Sequence, residues 1–200
     1  MNLNYKEESY MSNQAKIKTK LVAVGYAPIL SETKEKTTYG NPIYFAAAEA
    51  GGREYSISPV GEVKKVSANS QQVYACEQNG GYDITLTLLA VIDDIEKNWL
   101  GKTIAKNGVL EINNNVELPK FALILSDQST DNIGKTEILY RCSVSARPST
   151  NGATEEDGTF EFQFPEYSIS ATPRINDNYV KFTIPGVAEL STIPEPILNE

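Results

Sequence analysis

Apolar and polar residues alternate along residues 82–92: Ile84, Leu86, Leu88, Ala90 and Ile92 share one face, and Asp83, Thr85 and Thr87 share the other. A period of two predicts a strand with one face on a core and one on water. Over residues 93–101 (DDIEKNWLG) the pattern changes to that of a short helix. Asp93 or Asp94 is placed to cap its start, and Gly101 to end it in a left-handed conformation. Trp99 and Leu100 are expected to anchor the helix to a sheet.

The same reading predicts strands over residues 17–24, 43–47, 54–59, 71–76, 120–126, 135–146 and around Val180, Phe182 and Ile184. Turns fall at Ala50-Gly51-Gly52, at Asn79-Gly80-Gly81 (joining 71–76 to the strand at Tyr82) and at Asn107-Gly108. Phe160, Phe162 and Phe164 alternate with Glu161 and Gln163, and after Pro165 the apolar set shifts phase to Tyr167, Ile169 and Ala171. A phase slip at a proline predicts a bulge or corner, because proline donates nothing to a ladder. Nine or ten strands with one helix argue a mainly β fold, a sandwich or partial barrel of two packed sheets with one flanking helix. No tandem repeat or low-complexity linker interrupts it.

Three segments lack this periodicity. Residues 1–16 are polar and aperiodic and read as an N-terminal arm; residues 17–184 form the β domain; residues 185–200, with three prolines and isolated apolar residues, read as an extended C-terminal arm laid on a neighbour. Within the domain, residues 25–42 read as a polar connection too long for an ordinary loop and suited to an interface.

Composition narrows the chemistry. The 200 residues suffice for one domain with a sizeable core, and they include no histidine. That removes Ser-His-Asp and Cys-His systems and the commonest metal ligand, leaving only carboxylate, lysine or tyrosine catalysis. The formal net charge of −8 disfavours a nucleic-acid-binding module, while suiting a surface that lies near nucleic acid without holding it. No apolar signal segment or membrane-length run occurs. Cys76 and Cys142 lie far apart; Cys142 shares the apolar face of Ile138, Tyr140 and Val144 and is expected as a buried, reduced thiol, consistent with assembly in a reducing cytoplasm.

No motif for chemistry survives inspection. The glycine clusters lack the helix and lysine of a phosphate loop. Residues 127–131 (DQSTD) lack the central glycine and closing glutamate of a calcium loop and read as a hairpin tip. Asp93-Asp94 is explained by the helix start, Glu161 has no partner carboxylate for glycosidase chemistry, and Glu155, Glu156 and Asp157 read as a solvated loop tip. No catalytic residue, cofactor site or metal site is expected.

Several stretches, in order, resemble the phi13-type major tail proteins of long-tailed phages of Gram-positive bacteria. They are TYGNPI (residues 38–43), YDITLTLLAVIDDIEKNWLG (82–101), KFALIL (120–125), YRCSVSARPS (140–149), ATEEDGTFEF (153–162) and SISATPR (168–174). The resemblance spans about residues 38–182. It implies a virion tail-tube subunit assembled in the host cytoplasm: two packed sheets with a helix alongside, six copies forming a ring whose inner wall is a continuous β-barrel, and rings stacked into a tube. Its partners would be further copies of itself, a tape-measure protein, a tail terminator and distal tail or baseplate proteins. Genomic DNA would pass through the lumen unbound, and no membrane or cofactor is involved.

On that reading the candidate lumen-facing residues are Asp83, Thr85, Thr87, Glu161 and Gln163. The candidate inter-subunit contacts are Glu32, Lys34, Glu35, Lys36 and Tyr39 in the connection, and Pro185, Val187, Leu190, Ile193, Ile197 and Leu198 in the C-terminal arm. Two other readings stand beside it. One is the inner tube of a contractile tail, a tail-like bacteriocin or a secretion apparatus. The other is a carbohydrate-binding β-sandwich adhesin, for which eleven tyrosines and one tryptophan supply stacking surfaces.

Overall fold

The computed structural model describes residues 17–112, 117–148 and 162–198. The expected N-terminal arm, Glu161 and the acidic cluster at Glu155, Glu156 and Asp157 lie outside them. The chain is mainly β, with strands β1 (Lys18–Glu32), β2 (Thr37–Tyr39), β3 (Ile43–Tyr44), β4 (Gly52–Ala68) and β5 (Gln71–Leu88) before helix α1 (Asp93–Asn98). After it come β6 (Thr103–Ala105), β7 (Gly108–Leu110), β8 (Phe121–Ser129), β9 (Lys135–Ala146), β10 (Glu166–Ala171) and β11 (Lys181–Pro185).

Nine strands make one antiparallel sheet in the order β2-β1-β8-β9-β10-β5-β4, with β11 on β9 and β3 on β1; β6 and β7 form a separate hairpin. β9 belongs to two layers. Its first part pairs with β8 up to Phe121↔Cys142, and its last part pairs with β10 from Cys142 to Ala146. One layer is therefore β1, β8 and early β9; the other is late β9, β10, β5 and β4. Between them lies a core of Tyr26, Leu86, Phe121, Leu123, Tyr167 and Ile169. The arrangement is a sandwich folded from one sheet, not a closed barrel.

The helix fills the gap between the layers. Trp99 is fully buried, stacks on Phe121 at 4.5 Å between ring centroids and meets Tyr26 and Tyr167 edge-on at 5.6 and 5.5 Å. Those contacts, together with burial of Ile95, hold a helix of six residues that is too short to be stable alone. Gly101 ends it at φ +67°, as expected. Its start differs from expectation: Ile92 is the N-cap, and neither Asp93 nor Asp94 makes a side-chain cap. Both lie inside the first turn, where their charge favours the helix dipole instead.

The connection expected over residues 25–42 is a hairpin. β1 continues through Val24, Gly25, Tyr26 and Ala27, all buried, and the chain returns along it through Glu32↔Thr37, Ile29↔Tyr39 and Tyr26↔Ile43. Besides the short link at residues 40–42, only the tip, residues 33–36, is a loop, closed by Thr33 Oγ1 accepting from the Lys36 backbone N–H at 3.1 Å. Pro28 and the polar composition hid a strand whose register is fixed by β8 on its other side.

Asn79-Gly80-Gly81 is likewise not a turn. β5 runs through it unbroken, and the shift from Val60↔Gly81 to Gly61↔Asn79 makes Gly80 the extra residue of a bulge. Gly81 has φ +112°, and a Cβ there would lie 1.9 Å from the Ala171 carbonyl oxygen, so only glycine fits. The true hairpin turn is Asn69-Ser70, both with positive φ. β5 also stops at Leu88, short of Ala90 and Ile92. Residues 162–165 are not a strand, so the alternation of Phe162 and Phe164 reflects extended chain leading into β10.

The C-terminal segment is anchored on its own domain by hydrogen bonds along its length. The Thr136 hydroxyl donates to the Gly186 carbonyl at 2.8 Å and accepts from the Ala188 N–H at 3.2 Å. Leu190 N–H donates to Tyr44 Oη at 2.6 Å, and Tyr140 Oη donates to the Pro194 carbonyl at 2.8 Å. Arg174, 1 % exposed, holds Glu195 through two bonds at 2.8 and 2.7 Å and holds Asp177 on its other side. A buried guanidinium needs this compensation. Prolines here rule out a ladder, and the segment substitutes side-chain anchors.

Candidate functional site: a polar sheet face with free edges

Late β9, β10, β5 and β4 form a four-stranded antiparallel patch whose registers align in rows. The core-side rows are Tyr55–Leu86–Tyr167 and Ile57–Ile84–Ile169–Val144. The outward rows are Glu54–Thr87–Glu166, Ser56–Thr85–Ser168 and Ser58–Asp83–Ser170–Ser143. The outward face thus carries hydroxyls and three carboxylates (Glu54, Asp83 and Glu166), with no lysine or arginine in those rows. Arg141, next along β9, is tied to Glu32 at 2.7 Å and to the Thr172 hydroxyl at 2.6 Å, so its charge is already met.

This chemistry follows from a duplication. Residues 54–58 and 166–170 both read EYSIS, and the two copies flank β5 at matching register. In each copy Tyr and Ile turn inward while Glu and both Ser turn outward, as the two-residue period of a strand requires.

Both sides of the patch end in unpaired backbone. β4 is the terminal strand of the sheet, and its outer edge has no partner among the described residues. β9 loses β8 after Cys142, so the far edge of Ser143–Ala146 also has no described partner strand. Beyond the patch, β4 and β5 continue as a two-stranded ribbon around Asn69-Ser70, with Val60, Val73 and Tyr74 exposed by 40 %, 62 % and 60 %. A bare two-stranded ribbon is marginal in water, and unblocked edges invite strand pairing.

Asp83 and Thr85 therefore sit together on this face, the first exposed and the second half-buried, as expected from alternation, whereas Thr87, in the same register set, is buried at 8 % exposure. Gln163 does not join them; it lines a cleft of about 440 Å³ beside Leu89, Glu96 and Arg147. The alternation along β5 left out Glu54, Ser56 and Ser58 on β4, Glu166, Ser168 and Ser170 on β10, and Ser143 on β9. The repeated EYSIS was the signal that links them.

Of the expected inter-subunit contacts, Lys34, Glu35 and Lys36 are exposed at the hairpin tip. Glu32 and Tyr39 are engaged internally, Glu32 with Arg141 and Tyr39 through its hydroxyl donating to the Tyr140 carbonyl at 3.0 Å. Val187, Leu190 and Ile193 are partly buried on their own domain, Pro185 closes β11 at an exposed position, and Ile197 and Leu198 project, 95 % and 69 % exposed.

Across the open side of the fold, β1 approaches β4 without pairing. Lys18 bridges the gap, contacting Asp127 at 2.8 Å, Glu137 at 3.4 Å and the Tyr55 hydroxyl. Asp127 and Glu137 are 3 % and 4 % exposed, and Lys135 and Lys181 complete the ring around Glu137 at 2.7 and 3.5 Å. Each carboxylate thus has a cation, which makes the cluster a clasp and not a vacant acid pair.

Cys142 is a buried thiol whose pKa burial pushes up to about 12, the inert state expected of it. Among the described residues no group of acidic, cysteine or histidine side chains is arranged to hold a metal ion, and no helix is long and apolar enough to cross a membrane. No protein-family model matches the chain, and no curated protein matches it either.

Proposed function

We propose that this chain is a self-assembling tube subunit of the phage tail type, in which copies extend one another's sheets around a passage for DNA. The observation that carries the reading is the polar patch: four strands with an acidic, hydroxyl-rich outer face, no cation in its rows, and a free edge on each side. A lumen of that chemistry repels phosphates and offers only weak, exchangeable hydrogen bonds, so a duplex slides without being held. Every subunit at −8 adds to the repulsion.

The dimensions agree. Six copies giving four strands each make ~24 strands, a circumference near ~115 Å at ~4.8 Å spacing and a backbone diameter of roughly 37 Å before tilt widens it. That admits a DNA duplex with side chains and water. Closing the ring also removes the exposed edges. The ordered likeness of residues 38–182 to phi13-type major tail proteins supports the same reading, on which the location is the virion tail and the partners are a tape-measure protein, a terminator and distal tail proteins.

Negative-stain microscopy of the purified chain at high concentration tests this. Rings or tubes of uniform bore are the expected result; a chain that stays monomeric at every concentration and ionic strength overturns it.

A further inference from the structure

Resting on the tube reading above, we infer which edges meet: the outer edge of β4 in one copy pairs with the far edge of late β9 (Ser143–Ala146) in the next. The partner is thus a second copy of this chain, bound head to tail.

Strand direction carries the argument. β4 runs antiparallel to β5, β5 to β10, and β10 to β9, so the two strands at the ends of the patch run in opposite directions. When copies stand side by side in one orientation, as in a ring, each β4 meets a β9 of opposite direction. An antiparallel ladder then continues across the boundary without any copy being inverted. A patch with an odd number of strands would force a parallel step there.

The competing arrangement is two β4 edges meeting about a two-fold axis. It requires one copy to be inverted, so the copies no longer share the one orientation that a ring of like-oriented subunits needs. Where the axis falls near residues 64–65 it also sets exposed Lys64 and Lys65 of one strand against those of the other, and like charges across a ladder are unfavourable. The late β9 edge presents Ser143, Val144, Ser145 and Ala146, none of them charged. Lysines on β4 thus act against self-pairing in that register while leaving the β9 edge acceptable. A repeated head-to-tail contact either closes into a ring or continues as a filament, which is the behaviour a tube requires.

Site-directed cross-linking in assembled protein distinguishes the cases. A cysteine at exposed Ser145 is combined with one at Glu54, Ser56, Ser58 or Glu62 in turn, the series covering the unknown stagger. The unsubstituted chain, which holds Cys76 and Cys142, sets the background. A bis-maleimide linker reaching about 10 Å joins β4 to an adjacent β9, whereas equivalent β4 sites on successive copies lie about 19 Å apart, four strand spacings. The expected result is a covalent ladder well beyond dimer in at least one double variant, absent from S145C alone and from each β4 variant alone. Covalent dimers from a β4 variant alone would establish the two-fold contact and overturn the assignment. Rings or tubes without a ladder in any double variant overturn it while leaving the tube reading intact. If microscopy of the same samples finds no assemblies, both fall.

Discussion

Ile57 and Ile169 hold the same register position on opposite sides of Ile84, each as the fourth residue of an EYSIS segment. They are not equivalent in burial. Ile169 is 1 % exposed in the centre of the core, whereas Ile57 sits at the open side and is only partly covered.

Identical substitutions at the two sites should therefore separate. Ile169→Ala is expected to cost about 3 kcal/mol, the range for a large-to-small change in a packed core, and Ile57→Ala about 1 kcal/mol. Urea denaturation of the two variants checks this; equal losses would mean that the β1–β4 side is closed more tightly than the geometry indicates.

Charge reversal on the polar face should change behaviour toward DNA without changing the fold. Asp83→Lys and Glu166→Lys lie at exposed positions and are expected to shift stability by less than about 0.5 kcal/mol. In assembled protein, the pair should convert a surface that releases duplex DNA into one that retains it at low salt. Retention should fall steeply as salt rises, because phosphate contacts release counterions. Co-sedimentation of DNA with the assemblies across a salt series measures it.

The docked C-terminal segment changes what a truncation means. Removing residues 186–200 strips partners from Thr136, Tyr44, Tyr140 and buried Arg174, so the truncated chain is expected to be less stable as a monomer, and a failure to polymerise would follow from that alone. Glu195→Ala is the narrower probe. It leaves Arg174 with Asp177 and should cost about 2 kcal/mol, seen as a lower urea midpoint. Substituting Lys34, Glu35 and Lys36 with serine touches only the exposed tip and should leave that midpoint unchanged.

Acid should weaken the clasp at Glu137. Burial alone would raise its pKa, but the Lys135 hydrogen bond and the charges of Lys18 and Lys181 hold it below the usual carboxylate value. A carboxylate depressed in the folded state contributes stability that is complete above its unfolded pKa of about 4.3 and lost as pH falls through the folded value. Stability of the parent should thus decline from about pH 4 downward. Glu137→Gln should cost about 2 kcal/mol at pH 7 and show a shallower acid decline. Urea midpoints at pH 7, 4 and 3 test both.

How much was legible depended on how local the cause was. The bounds of β9 were readable over residues 135–146, but its face was not: Thr136–Tyr140 are buried in succession, and a shift of register against β8 puts Leu139, rather than Ile138 and Tyr140, in the core with Cys142 and Val144. The buried strand at 121–126 and the Trp99 anchor were readable. The β1–β2 hairpin was not, since its register comes from β8, about a hundred residues away, and its tip and returning strand are largely polar. Gly80-Gly81 encodes a bulge whose need arises from Ala171 on another strand. The C-terminal segment has the composition of an arm, and its anchors on its own domain, Thr136, Tyr44, Tyr140 and Arg174, come from distant positions that no local window contains. On the polar face, alternation put Asp83, Thr85 and Thr87 on one side of β5, though Thr87 is buried there, while their neighbours depended on cross-strand register that no local window contains.

The duplicated pentapeptide leaves β5 with two flanks that accept the same five residues, so composition alone does not decide which segment takes which side. Sequence distance does: β4 joins β5 through a two-residue turn and arrives first, while β10 must return across roughly eighty positions. Until it returns, a half-zipped molecule displays a vacancy shaped for any EYSIS in solution, including one from a sister chain. Crowded synthesis would therefore favour strand exchange between molecules, and dilution would favour correct closure.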